Sequence, residues 1–395
     1  MKTVSIPFAA LPVLLAGCIN IENTETPPAR SAPAATVATP PSNAAEALRG
    51  YYASLRATTQ LPAMQTPRLS PAATVERIVF GSCNHHARDQ DHWEHMVAAD
   101  GDVALMIGDN IYGDYGWRGG AQLGSFQAAY RQQAGYPEFQ RFMAAQPVYA
   151  TWDDHDFGPN DSGGSFFARE WSETLFESFW NVPDQVRSRP GIYDSVTAGP
   201  DGQRVQIIVL DTRFFRDDLA EKPYSRERYP LGIYRPNTDP DATVLGDEQW
   251  RWLEAELARP ADLRVLVSSI QVLTDAHDFE AWENFPLQRE KLFRMLAARS
   301  ESGLVMLSGD RHSGAVYSDT PAALGDRVWE LTSSSLNLAF VRDDASEREP
   351  DPLRMTDMIT QENFGVVDID WAQRHVHLRL MDDDGGEILS RQIGF

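Results

Sequence analysis

Six short apolar runs in this chain each end abruptly in polar residues of the kinds that hold cations and move protons. RIVF leads into Gly81-Ser82-Cys83-Asn84, and VALMI into Gly108-Asp109-Asn110-Ile111-Tyr112. VYATW leads into Asp153-Asp154-His155-Asp156, and VQIIVL into Asp211-Thr212-Arg213. RVLVSS precedes Ile270-Gln271, and LVMLS precedes Gly309-Asp310-Arg311-His312. One strand-end aspartate alone is explained equally well as a helix cap. Six clusters together are harder to explain that way. Carboxylates buried side by side are prohibitively costly unless cations neutralise them. Asp109, Asp153, Asp154, Asp156, Asp161, Asp211 and Asp310 therefore suggest a polynuclear metal site.

The donor types narrow the metals. Cys83 offers a soft thiolate, and Tyr112 a phenol whose ordinary pKa is about 10. A strongly Lewis-acidic ion such as ferric iron is needed to deprotonate that phenol at neutral pH. Asp154 and Asn160 are hard oxygen donors of the kind calcium prefers. The histidines lack the spacing of a zinc site. Trp152 and Phe157 read as core, His85 and His86 as cleft-rim residues, and Arg118 and Arg131 as exposed. The acidic stretch Glu347–Asp351 reads as a solvated loop.

The elements that must position these residues follow from periodicity. Each apolar run has the length and β-branched content of a strand buried on both faces. Helical patterns lie between them, clearest over Asp91–Ala98, Tyr136–Ala145, Phe166–Trp180, Asp247–Leu257 and Pro286–Ala298. Alternating strands and helices make an α/β architecture, whose ligands bind beyond the carboxyl ends of the strands. After Gly309 the pattern turns to strands: Val328–Thr332, Gly365–Asp370, and a hairpin of His375–Met381 and Glu387–Ile393 around Asp384-Gly385-Gly386.

The 395 residues carry 57 acidic against 35 basic side chains, a formal net charge of −22. A surface that acidic repels phosphate backbones, so no nucleic-acid-binding face is expected. No apolar run reaches the roughly 18 residues of a membrane helix. The start reads as an export signal, with Lys2, an apolar stretch from Ile6 to Leu15, and Leu15-Ala16-Gly17-Cys18 resembling a bacterial lipobox; an ordinary secretory signal is the alternative. Lipidation of Cys18 would leave Cys83 as a single free thiol in an oxidising compartment, a reason to read it as a metal ligand. Thr24 to Ala45 is rich in Pro, Ala, Ser and Thr and reads as a tether. The expected organisation is a signal peptide over 1–17, a tether with a short helix at Ala44–Thr58 over 18–74, and one catalytic domain over 75–395. The protein is expected to be an exported, periplasmic monomer touching a membrane only through its lipid.

FGSCN, GDNIY, WDDHDFGPND, LDTR and SGDRHSG, in this order, resemble the motifs of the PhoD-like alkaline phosphatases of the metallophosphatase superfamily. The resemblance covers about Val75 to Phe395. It implies a four-layer α/β/β/α core and phosphoester hydrolysis at a ferric ion partnered by calcium, zinc or manganese being the alternative metals. By motif, Cys83, Tyr112 and Asp310 would bind iron, Asp109 would bridge the metals, and Asp154 and Asn160 would hold calcium. His155 would face the phosphoryl group or leaving oxygen, Arg213 would grip phosphate oxygens, and His312 would sit beside the site. Asn110, Asp153, Asp156 and Asp211 would stand behind these or at the substrate rim, with Asp156 orienting His155 and Asp211 orienting Arg213. The C-terminal hairpin, without the helix that lids some relatives, implies an unlidded site.

The expected function is thus metal-dependent hydrolysis of a phosphate ester. A phosphodiesterase or phospholipase on the same metals is the enzymatic alternative. A non-catalytic calcium-binding lipoprotein would explain the carboxylates, but not Arg213, His155 and Cys83 together.

Overall fold

A computed structural model of the chain describes residues 44–223, 231–299, 303–340, 342 and 344–395. The expected signal, Cys18 and nearly all of the Pro-rich tether lie outside the described residues. The first half of the chain contains the helices α1 (Ala44–Thr58), α2 (His92–Ala98), α3 (Gly124–Ala134), α4 (Pro137–Ala145), α5 (Asp154–Phe157), α6 (Arg169–Trp180) and α7 (Asp184–Arg187). The strands among them are β1 (Arg77–Gly81), β2 (Val103–Ile107), β3 (Val148–Thr151) and β4 (Asp194–Ala198). The second half opens with β5 (Val205–Val209), α8 (Gly246–Leu257), β6 (Leu263–Val267), α9 (Pro286–Ala297) and β7 (Gly303–Ser308). It closes with β8 (Gly314–Asp319), β9 (Val328–Ser333), α10 (Ala345–Arg348), β10 (Asn363–Asp370), β11 (His375–Asp382) and β12 (Glu387–Gly394).

The strands form two six-stranded sheets, ordered β12-β11-β10-β1-β2-β3 and β4-β5-β6-β7-β9-β8. The side-chain period of two explains why the central runs are apolar throughout. Ile78, Phe80, Val103, Leu105 and Ile107 of the first sheet meet Val205, Ile207, Val209, Val265, Val267, Val305 and Leu307 of the second in the central core. The alternate residues Val79, Ala104 and Met106 face an aromatic layer that includes Trp93, Phe126, Phe142, Trp171 and Phe179 from α2, α3, α4 and α6. Ile208, Leu266, Leu304 and Met306 face Trp250, Leu253, Leu292 and Phe293 of α8 and α9. The result is the expected α/β/β/α sandwich. Pro137 and Pro286 open α4 and α9, where a missing N–H costs nothing, and Asn181 closes α6 in the left-handed conformation.

The sequence reading needs correction at the N-terminal boundary. α1 is part of the fold rather than of a tether: Tyr52 is buried and stacks on Trp171, ring centroids 5.8 Å apart, and Met64 is buried in the same layer. An aromatic partner 119 residues away in sequence cannot be seen from a local pattern. The longer elements without an expectation were α3, β4 and β8, whose sequences are too polar or too Gly-rich to show a clear period; the four-residue helices α5, α7 and α10 are too short to show one.

β1, β2 and β3 run parallel, as do β5, β6 and β7, so six strand ends are available to build one site. Cys83, Asp109, Asp153, Asp211, Ser269 and Asp310 are each the second residue beyond their strand. Among the described residues, no helix is long and apolar enough to cross a membrane.

Candidate active site

The strand ends are backbone-strained where they carry chemistry. Cys83 (φ 57°), Asp109 (49°), Asp310 (66°) and His312 (52°) all adopt the left-handed conformation, which non-glycine residues hold only when their surroundings impose it. Gly108, at φ +122°, fits because it lacks a side chain: a Cβ there would sit 2.7 Å from the Cβ of Asp153. These turns aim Cys83, Asp109, Tyr112, Asp153, Asp154, Asp310 and His312 at one another. Three overlapping groups have donor atoms within 4.8 Å: Cys83, Asp109 and His312; Asp109, Asp154 and His155; and Asp109, Asp153, Asp154 and Asp310. Asp109 belongs to all three.

On one side, Asp109 Oδ2 accepts from Tyr112 Oη at 3.2 Å and lies 3.5 Å from Cys83 Sγ. His312 Nε2 stands 3.4 Å from the same phenol oxygen. Its Nδ1 lies 2.6 Å from the Leu338 carbonyl, so Nδ1 carries the proton and Nε2 keeps its lone pair. Burial pushes His312 down to about 4, which keeps it neutral. It is therefore a potential donor to a metal, a closer role than the sequence suggested. Cys83 Sγ also contacts Ser334 Oγ at 3.0 Å.

On the other side, Asp154 Oδ1 and Oδ2 accept from the backbone of His155 (2.9 Å) and Asp161 (2.7 Å). Asp154, Asp161 and Glu280 form a further group of close carboxylate oxygens. Asn160 is exposed and lines the cleft beside Asp154 and Asp161.

The charges explain why this pocket needs cations. Burial, then Asp154, holds Asp109 well above the carboxylate range; burial, then Asp153 and Asp154, does the same to Asp310. Burial outweighs the pull of Arg213 and takes Asp153 to about 7. Burial would also raise Asp154, but the charges of His155 and Arg213 hold it well below the usual range. His155 is the converse: burial would lower it, yet Asp154, Asp109 and Asp114 hold it well above 6.5 and keep it protonated. Asp153 Oδ2 is buried with no hydrogen-bond partner. Packed carboxylates with an orphaned oxygen, flanked by a thiol, a phenol and a neutral imidazole, fit a pair of metal ions.

Several assigned roles change. Arg213 is fully buried and does not line the cleft: Nε is 2.6 Å from Asp153 Oδ1, and Nη1 is 2.6 Å from Glu280 Oε2. With its guanidinium spent on two carboxylates, it positions Asp153 rather than gripping substrate. Asp211 shapes the Arg213 turn through backbone N–H groups and accepts from Trp152 Nε1, so it orients the main chain and not the guanidinium. Asp156 does not orient His155; it accepts from the backbone of Asn110, Ile111 and Asp153, tying two strand-end loops together. Asn110 assists, donating from Nδ2 to the Thr151 carbonyl and to Asp156. The partner of His155 is Asp114, 2.7 Å from Nδ1. His85 stacks on Tyr112 at 5.0 Å and His86 Nδ1 accepts from the Tyr112 N–H, so both buttress that residue and neither lines the cleft. Glu349 is buried and paired with Arg311 at 2.7 Å, not solvated.

Sequence reading missed Asp114 and Glu280. Asp114 lies within the GDNIYGD segment, where its spacing from Asp109 offered a signal. Glu280 sits in a loop with no strand before it and had none. The cleft over this floor encloses about 450 Å³. Its walls include Tyr115, Leu231–Tyr234, Phe279, Arg311, Phe340 and Glu349.

A family model described as PhoD-like phosphatase matches residues 181–380, half of the chain. Alkaline phosphatase D of Bacillus subtilis (strain 168) is 25% identical over 293 residues, which is 62% of this chain and 47% of that protein. The chain thus spans about half the length of the curated relative it matches. A solved structure of PhoD superposes with a TM-score of 0.61 at 21% identity, covering 84% of this chain and 70% of that one, and shows the shared fold.

Proposed function

Because the chain belongs to the PhoD-like phosphatase family, we propose that its cleft hydrolyses phosphate esters with the aid of metal ions held at the strand ends. The observation that carries this reading is the position of Asp109, one carboxylate common to the group of Cys83 and His312 on one side and that of Asp153, Asp154 and Asp310 on the other, as expected of a ligand shared by two adjacent cations. We assign Cys83, Tyr112, His312, Asp109 and Asp310 to a ferric site, and Asp154 and Asn160, with Asp109 shared, to a calcium site. Zinc or manganese is the alternative loading. Bound metal ions supply Lewis-acid charge for the phosphate and make water nucleophilic at neutral pH. Asp153, turned by Arg213 and Ser269 Oγ (2.7 Å), fixes the floor of the site. Protonated His155, braced by Asp114 and lining the cleft, donates its proton to the leaving alkoxide. The walls exclude bulk water from one side of the reacting phosphate.

The substrate is a phosphate monoester in the first reading. A diester is the second, supported by a cleft of about 450 Å³ that exceeds what one phosphate group fills. Elemental analysis of the purified protein beside assays on a monoester and a diester tests both. Iron held by a thiolate and a phenolate gives a visible charge-transfer band, and Tyr112→Phe should shift or bleach it. Colourless, fully active protein containing zinc and no iron would overturn the ferric assignment and leave hydrolysis standing. For the residues before the fold we propose export and lipid attachment at Cys18, with the protein otherwise a monomer that does not bind nucleic acid. The tether composition and the acidic charge support this. Unchanged membrane association of Cys18→Ser would overturn the anchor.

A further inference from the structure

Three of the large hydrophobic side chains exposed among the described residues stand at the mouth of the cleft: Tyr115 (55% exposed), Phe279 (37%) and Phe340 (65%). Each is braced on a residue of the floor or wall. Tyr115 meets the His155 ring edge-on at 5.5 Å, and Phe340 packs on His312 at 4.0 Å. The Arg311 guanidinium lies 4.7 Å from the centre of Phe279, held there by its pair with Glu349. The rings are thus tied to residues that line the cleft, while much of their surface is left to solvent. Exposed aromatic surface gathered at one concave site marks a place where a ligand is bound.

We propose that this rim binds the alcohol part of the substrate, and that the preferred phosphate esters carry a planar ring, a nucleobase or an aryl group, which stacks on Phe279 or Phe340. The proposal rests on the hydrolytic reading of the same cleft. The reaction balances without further reactants: water forms the new P–O bond, the bond to the alcohol breaks, and the ring-bearing alcohol leaves with a proton. A ring and a phosphate together fit the roughly 450 Å³ available. Stacking a ring on an aromatic side chain is favourable whatever its substituents, so the rim selects a class of alcohol rather than one compound.

The test uses pairs of esters that differ in the ring alone. Adenosine 5′-monophosphate and ribose 5-phosphate share a primary alcohol; 2-phenylethyl phosphate and ethyl phosphate form the aryl pair. The intact protein should favour the ring-bearing member of at least one pair by about tenfold in kcat/KM, the scale of one stacking contact. Which pair responds identifies a nucleobase or an aryl group. In Phe279→Ala/Phe340→Ala the ratio should fall towards one. Equal kcat/KM within both pairs, or a preference untouched by the double substitution, overturns the rim while hydrolysis stands. If the metal-loaded protein hydrolyses neither these four monoesters nor the diester of the earlier assay, the hydrolytic reading falls. Calorimetric titration with the same pairs then decides the rim: tighter binding of a ring-bearing ester supports it, and equal affinities overturn it.

Discussion

Replacing Arg213 by methionine keeps a long apolar stem and removes the guanidinium from between Asp153 and Glu280, leaving both carboxylates buried. Removing one partner of a buried ion pair costs about 3–5 kcal/mol, because the other charge stays uncompensated. Here the loss should fall at the lower end. Glu280 keeps Arg216, 3.0 Å away, and Asp153 keeps the Ser269 hydroxyl at 2.7 Å. Asp153 nevertheless remains beside Asp109, Asp154 and Asp310, and bound cations would mask part of the effect. The assay is therefore urea unfolding in excess chelator, followed by tryptophan fluorescence. With a slope of about 3 kcal/mol per molar, a loss of about 3 kcal/mol moves the midpoint down by about 1 M. Adding Asp153→Asn should restore about 1–2 kcal/mol of this, since the second substitution removes the carboxylate left without a charged partner. Metal content should fall in the single variant as Asp153 loses its support. A midpoint within about 0.3 M of the parent, with metals retained and KM strongly raised, would refute the reasoning. Arg213 would then be a substrate contact after all.

Asp114→Asn should lower kcat by about tenfold or more while leaving thermal stability near the parent value, because it removes the carboxylate that orients His155 and part of the charge, shared with Asp154 and Asp109, that keeps it protonated; unchanged turnover would show that Asp114 does not position the acid. Gly108→Ala should cost about 1–3 kcal/mol and weaken metal retention, since the new Cβ meets Asp153 in a left-handed backbone; calorimetric melting and metal analysis read both. Burial, then Glu177, takes Glu173 up to about 8, so the folded state holds a proton that the unfolded chain has released. That contribution is complete below about pH 4.5 and is lost as pH rises through 8. Glu173→Gln should therefore gain on the parent as pH rises, by on the order of 2–4 kcal/mol at pH 9. An unfolding difference independent of pH would show that Glu173 is solvated.

The sequence by itself determined the layers and the floor of the site. Runs such as VALMI and VQIIVL can be apolar throughout only if both faces of the strand are covered, so an α/β domain with doubly buried strands was legible, and the motifs' resemblance to a known family implied the four-layer sandwich. Cys83, Asp109, Asp153, Asp154 and Asp310 were legible as well, since parallel strands bring their carboxyl ends together and each motif follows its strand at a fixed distance. Tertiary structure decided the partners. Which carboxylate Arg213 meets, and that Asp114 rather than Asp156 holds His155, depends on loops whose side-chain directions local patterns do not encode. Glu280 joined the site from a loop with no periodic signal, and Tyr52 joined the fold by stacking on Trp171, 119 residues away. Strand propensity and spacing act within a few residues, whereas burial and ion pairing are settled by what the completed fold brings within a few ångströms.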